Sequence, residues 1–135
     1  MPASTLWIKN DKRINAMCKR KNVVFEITQL YNNDSVNISS KEKEEVSTSL
    51  NYLADMAKED KVKGLYRLKD MVIPCIPRYD STLYAYKVSD NYRVILSYDD
   101  DMIYDRKIIS LYRIVPRQET IPAFNAVATL IYGKS

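Results

Sequence analysis

The sequence predicts an α+β domain in which an antiparallel β-sheet of about four strands, three of them a C-terminal meander, packs against one long helix. Three observations predict it: a β-branched run at Asn22–Thr28, a capped stretch of helical periodicity from Ser39 towards Gly64, and three closely spaced strand-forming segments between Leu83 and Val115. The length, 135 residues, suits one domain, and 46% apolar residues suffice for a single modest core. Two glycines and five prolines beside 28% charged residues fit a globular chain and exclude a disordered or collagen-like one.

Residues 1–21 form a basic arm, with Lys9, Lys12, Arg13, Lys19, Arg20 and Lys21 against Asp11 alone. Trp7, Ile8, Ile14 and Met17 recur at loosely helical spacing, so a short helix is expected there. The arm reads equally as a phosphate-contacting segment or as a solvated terminus. Residues 22–135 are expected to form the single domain.

Asn22–Thr28 (NVVFEIT) reads as the first strand, and Tyr31–Ser35 (YNNDS) as turn chemistry, since Asn and Asp side chains bond local backbone. Ser39 followed by Glu42 is a capping-box pattern. Val46, Leu50, Leu53, Ala54 and Ala57 then return to one helical face. Glu42, Glu44 and Glu45 suit the positive end of the helix dipole, Lys61 and Lys63 the other end, and Gly64 the stop. Leu65–Asp80 reads as a connector because Pro74 and Pro77 forbid a central strand. The meander strands are Leu83–Val88, Tyr92–Tyr98 and about Lys107–Val115, joined by Ser89-Asp90-Asn91 and by a loop opening at Asp99-Asp100-Asp101. Beyond Pro116, the residues Phe124, Val127, Ala128 and Ile131 predict a short amphipathic helix beside the sheet.

Net charge of +4 and a pI near 9.0 favour a polyanionic partner. Eleven tyrosines against two phenylalanines and one tryptophan fit strand propensity, or an aromatic surface left half exposed. The absence of a long apolar run and of a signal-peptide core leads us to expect a cytoplasmic protein with no membrane partner. There is no histidine, so triad chemistry and histidine-ligated zinc are excluded, and no P-loop, dinucleotide or nucleophile-elbow motif occurs. Cys18 and Cys75 have no metal or redox spacing and read as free thiols, with Cys75 in an apolar run. Asp99–Asp101 reads as a solvated loop, because consecutive side chains point different ways.

What remains is the set of cations and tyrosines on the meander. An arginine at position 93, between Tyr92 and the apolar Val94–Leu96, requires an explanation. One is a phosphate-binding role; the other is an ion pair with an aspartate such as Asp80 or Asp105. The hairpin register decides its neighbours. A two-residue Ser89-Asp90 loop sets Tyr86 opposite Arg93 and gathers Leu83, Ala85, Val94 and Leu96 on one core face, and for that segregation it is preferred. A three-residue loop sets Lys87 opposite Arg93 and turns the tyrosines to the core.

The stretch from Leu83 to Gln118 (LYAYKVSDNYRVILSYDDDMIYDRKIISLYRIVPRQ) resembles the C-terminal half of RelE/ParE-type toxins. Those proteins show an aromatic or basic strand, a polar turn, a "YRV" strand, a variable loop and a third strand closing in an arginine. In architecture the resemblance spans about residues 22–132; in motif it spans 83–118. For RelE-like members it implies metal-independent cutting of mRNA in the ribosomal decoding site by attack of a ribose 2′-hydroxyl on the adjacent phosphate.

By position, Arg93 matches the family's central-strand arginine, Arg117 the arginine after the last strand, and Phe124 falls near a C-terminal tyrosine of some members. Where the family has lysines this chain has Tyr84 and Tyr86, with Lys87 offset by one. The resemblance implies Arg93 and Arg117 as catalytic phosphate ligands, with Lys87 or Tyr86 as the proton carrier and Phe124 beside the RNA, while Tyr84 as a stacking ring and Arg113, Arg78 and Lys69, by their place beside the meander, complete the expected RNA contacts, with no metal and no cofactor. A base with an ordinary pKa of about 10 is deprotonated in roughly one molecule in a thousand at neutral pH, so the arginines are expected to lower it. The expected partners are mRNA on the ribosome and an acidic antitoxin protein. Two alternatives share the fold: a ParE-like protein that inhibits DNA gyrase, and a non-catalytic RNA-binding homologue.

Overall fold

A computed structural model describes residues 22–66 and 82–132. The basic arm, most of the connector, both cysteines, Lys69 and Arg78 lie outside the described residues. The elements run β1 (Asn22–Ile27), α1 (Gln29–Ser35), α2 (Ser40–Lys58), β2 (Leu65–Tyr66), β3 (Leu83–Lys87), β4 (Tyr92–Asp101), β5 (Arg106–Pro116), a 3-10 turn (Arg117–Glu119) and α3 (Thr120–Tyr132). The fold is α+β. One five-stranded sheet has the order β1-β5-β4-β3-β2.

Two sheet expectations are corrected. Leu65–Tyr66, assigned to the connector, pairs antiparallel with β3 as a two-residue edge strand, so the sheet has five strands. The sheet is also mixed, because β1 lies parallel to β5, from Asn22 opposite Arg106 to Ile27 opposite Leu111. The chain between these strands is long enough for the crossover that a parallel pair requires.

The segment Tyr31–Ser35, expected as a turn, is helical. Thr28 explains this: its Oγ1 accepts the N–H of Tyr31 at 3.2 Å, capping α1, and Tyr31 is buried against the core. α2 starts as its sequence implies, with Ser39 Oγ accepting from Glu42 N at 3.2 Å. It ends six residues before Gly64. Asp60 adopts φ +58°, with Asp60 N bonded to Ala57 O and Lys61 N to Met56 O, which is a Schellman closure built on an aspartate. Gly64, at φ +90°, serves the turn into β2, where an added Cβ would lie 3.4 Å from the Tyr86 ring.

Helices cover both faces of the sheet. On one face Val46, Leu50, Leu53, Ala54 and Ala57 of α2 join Val23, Phe25, Ile27, Val94, Leu96, Ile109 and Leu111 in a single cluster. On the other, Ala123, Phe124, Val127 and Ala128 of α3 join Leu83, Ala85, Ile95 and Val115. Val94, Ile95 and Leu96 are therefore all fully buried, as in a strand covered on both sides.

This two-sided cover settles the hairpin register against the preferred expectation. Lys87 stands opposite Arg93, Tyr86 opposite Val94 and Tyr84 opposite Leu96. A two-residue loop would collect apolar residues on one face only. With α3 on the second face, apolar residues are needed on both, and the three-residue loop supplies them.

Candidate nucleic-acid interface

The end of the sheet at the β3–β4 hairpin gathers three cations. Lys87 and Arg93 are direct cross-strand partners, so their side chains leave the same face. The N–H of Arg117 donates to Asn91 O at 2.7 Å, and Tyr92 pairs with Pro116, which fixes the chain carrying Arg117 beside the hairpin. The Arg117 side chain is exposed.

Arg93 folds back over its own turn. Its Nη1 donates to Ser89 O at 2.9 Å and Tyr92 O at 3.0 Å, with a longer contact to Asp90 O at 3.4 Å. Among the described residues backbone carbonyls, not Asp105, hold it, and Asp80 lies outside the described residues. Nε and Nη2 have no hydrogen bond among the described residues, which leaves an N–H pair available to an oxyanion. Lys87 Nζ lies 3.2 Å from Asp90 Oδ1, with both side chains exposed, and such a pair restrains a lysine only weakly.

α2 braces this hairpin from the opposite face. Ser49 Oγ donates to Val88 O at 2.7 Å, and the Tyr86 hydroxyl donates to Ser49 O at 3.0 Å. Asn91 Nδ2 donates to Glu42 Oε2 at 3.3 Å. Tyr86 thus belongs to the helix–sheet joint and not to the cation face. Its pKa is raised, first by burial and then by the neighbouring Tyr52, the reverse of what a base requires. Its expected role as proton carrier is corrected accordingly. Tyr84 shares that inner face and packs half-buried against the α2 core.

The remaining expected residues are dispersed. Arg113 makes a two-point ion pair with Asp34, and these hydrogen bonds hold its pKa above the usual value despite partial burial. Phe124 has no solvent exposure and anchors α3 to the sheet, so the expected RNA contact is corrected to a core role. The triple acid is in strand β4 and is not a solvated loop: Asp99 accepts from Thr82 Oγ1, Asp100 from Lys107 Nζ and Asp101 from Arg106 Nε. Alternation along the strand sends these neighbours to different partners.

Sequence reasoning missed Tyr66. It stands opposite Ala85, sharing the face of Lys87 and Arg93, and is exposed. Its only signal was an aromatic beside Arg67 and Lys69, in a segment whose prolines argued against any strand.

Among the described residues no cluster of His, Cys, Asp and Glu is arranged to hold a metal ion, and no helix is long and apolar enough to cross a membrane. Among the described residues, two open grooves lie along α2. One, of about 280 Å³, is lined by Tyr52, Asp55, Met56, Glu59, Lys61 and Lys63. The other, of about 440 Å³, runs beside α2 between Lys41 and Val88.

No family model, no curated protein and no solved structure matches this chain.

Proposed function

We propose that this chain is a RelE/ParE-type toxin that cleaves ribosome-bound mRNA, with Lys87, Arg93 and Arg117 holding the scissile phosphodiester. The observation that carries the reading is the direct pairing of Lys87 with Arg93, with Arg117 tethered to the same hairpin. The order of strand, helices, meander and C-terminal helix over residues 22–132 supports it. In this mechanism the 2′-oxygen forms a bond to phosphorus and the bond to the 5′-oxygen breaks, leaving a cyclic phosphate and a free 5′-hydroxyl. Arg93 Nε and Nη2 neutralise the charge that builds on the non-bridging oxygens, and Lys87 relays the proton. Tyr66 offers a ring on the same face for base stacking. An acidic antitoxin protein would cover the same cations.

The test is to map new RNA ends after incubating the purified chain with programmed ribosomes. Arg93→Ala should slow cleavage by about 10²–10³-fold if the guanidinium acts in the transition state. Cutting by Arg93→Ala at the wild-type rate refutes the assignment.

The inward Tyr86 favours a second reading, a non-catalytic RNA-binding homologue, because it takes one proton carrier out of the site. That reading requires salt-sensitive RNA binding, weakened by loss of any one of the three cations, and no new RNA ends. Inhibition of DNA gyrase, with neither RNA binding nor cleavage, would identify the ParE-like alternative.

A further inference from the structure

Arg93 takes its direction from the turn that precedes it. Nη1 is shared between Ser89 O at 2.9 Å and Tyr92 O at 3.0 Å, and among the described residues no side chain holds the guanidinium. The aim of Nε and Nη2 is therefore only as firm as the placement of those two carbonyls. The turn is fixed at both ends from outside. At its exit the N–H of Arg117 donates to Asn91 O at 2.7 Å, and at its entry Ser49 Oγ donates to Val88 O at 2.7 Å. Between them Ser89 Oγ accepts the N–H of Tyr92 at 3.1 Å.

Ser49 has no local reason to make its contact. A serine in a helix interior ordinarily bonds a carbonyl of its own helix or faces water. Ser49 lies in the middle of α2, beside the buried Leu50, and reaches a residue 39 positions on. The carbonyl of Val88 and the nitrogen of Ser89 share one rigid peptide plane. Holding that carbonyl limits the rotation that would swing Ser89 O away from Arg93. Ser49 stands on the α2 side of the sheet, opposite the cations, so it meets no phosphate held there.

We propose that Ser49 is a positioning residue for Arg93, acting through the Val88–Ser89 peptide to keep the guanidinium aimed at the scissile phosphodiester; the inference rests on Lys87, Arg93 and Arg117 being the phosphate ligands. Loss of the hydroxyl leaves the charge of Arg93 in place, so attraction to RNA persists. What goes is alignment with the oxygens whose charge grows in the transition state, so kcat falls and KM does not.

Ser49→Ala keeps a good helix former in α2, so the full chain folds. On programmed ribosomes it should lower kcat by about 10–10²-fold and move KM by less than about twofold. Ser49→Thr, which retains the hydroxyl, should recover most of the rate. Tyr86→Phe removes the other hydrogen bond of the same joint and should keep the wild-type kcat, which separates aim from general loosening. Without any RNA, 15N relaxation of the Arg93 Nε–H should show an ordered guanidinium in the wild type and in Tyr86→Phe, and a mobile one in Ser49→Ala. Wild-type kcat in Ser49→Ala, an equal loss in Ser49→Thr or in Tyr86→Phe, or unchanged Arg93 relaxation in Ser49→Ala overturns the inference. If the wild type makes no new RNA ends, the toxin reading fails, and the relaxation series alone upholds or overturns the role of Ser49.

Discussion

Asp34 and Arg113 form a two-point ion pair, Nε to Oδ2 at 2.6 Å and Nη2 to Oδ1 at 3.1 Å, and the same Oδ2 accepts the N–H of Ile114 at 3.0 Å. β1 ends at Ile27, opposite Leu111, so beyond that point β5 has no strand on this side. The Asp34 carboxylate takes the strand's place as acceptor. It does so just past the irregularity where the pairing shifts between Ile95 and Leu96. One carboxylate on a short helix thereby holds the last part of β5, whose chain continues to Arg117.

Replacing Asp34 with Ala removes both functions, and urea denaturation should show a loss of about 2–3 kcal/mol. Asp34→Asn keeps an acceptor for Ile114 N and should lose about 1 kcal/mol. Equal losses for the two variants would show that the backbone bond is unimportant.

Tyr86→Phe separates the joint from the site. It deletes the hydroxyl that bonds Ser49 O and should lower stability by about 1 kcal/mol. Cleavage or RNA binding per folded molecule should be unchanged. A large fall in activity at unchanged stability would restore Tyr86 to the chemistry.

Phe124→Ala empties the centre of the α3 cluster and should cost about 3–5 kcal/mol, read as a lower denaturation midpoint. Phe124→Leu should retain most of the stability. Direct RNA contact by this ring would instead give near-wild-type stability with weakened binding.

Acid should loosen the β4–β5 tip. The hydrogen bond from Arg106, foremost, and those from the Tyr104 and Ile103 amides hold the Asp101 carboxyl below its ordinary pKa of 3.8. A depressed carboxyl stabilises the folded form above its unfolded pKa, and that contribution is lost as pH falls through the folded value. The amide resonances of Ile103 and Tyr104 should therefore hold their positions down to the ordinary carboxylate range and move only below it. Movement centred above pH 3.8 would contradict the clamp.

Local chemistry made much of the fold legible. Ser39 and Glu42 marked the start of α2, the helical return of Val46, Leu50, Leu53 and Ala57 marked its buried face, and Phe124, Val127 and Ala128 marked α3. These signals depend on residues a few positions apart. The misread positions depend on distant partners: the Tyr31–Ser35 helix needs a site against β5, and Leu65–Tyr66 becomes a strand only because β3 offers an edge.

The same division runs through the candidate site. By itself the sequence determined which residues carry charge, that Arg93 interrupts an apolar strand, and that histidine chemistry is excluded. Tertiary structure decided which of those residues meet. A register change of one residue exchanges the faces of a strand, and the register here depends on α3 covering the second face of the sheet. That contact sets Lys87 opposite Arg93 and turns Tyr86 inward, while Asp34, far away in sequence, claims Arg113. Periodicity can describe a face, but only packing determines what each face meets.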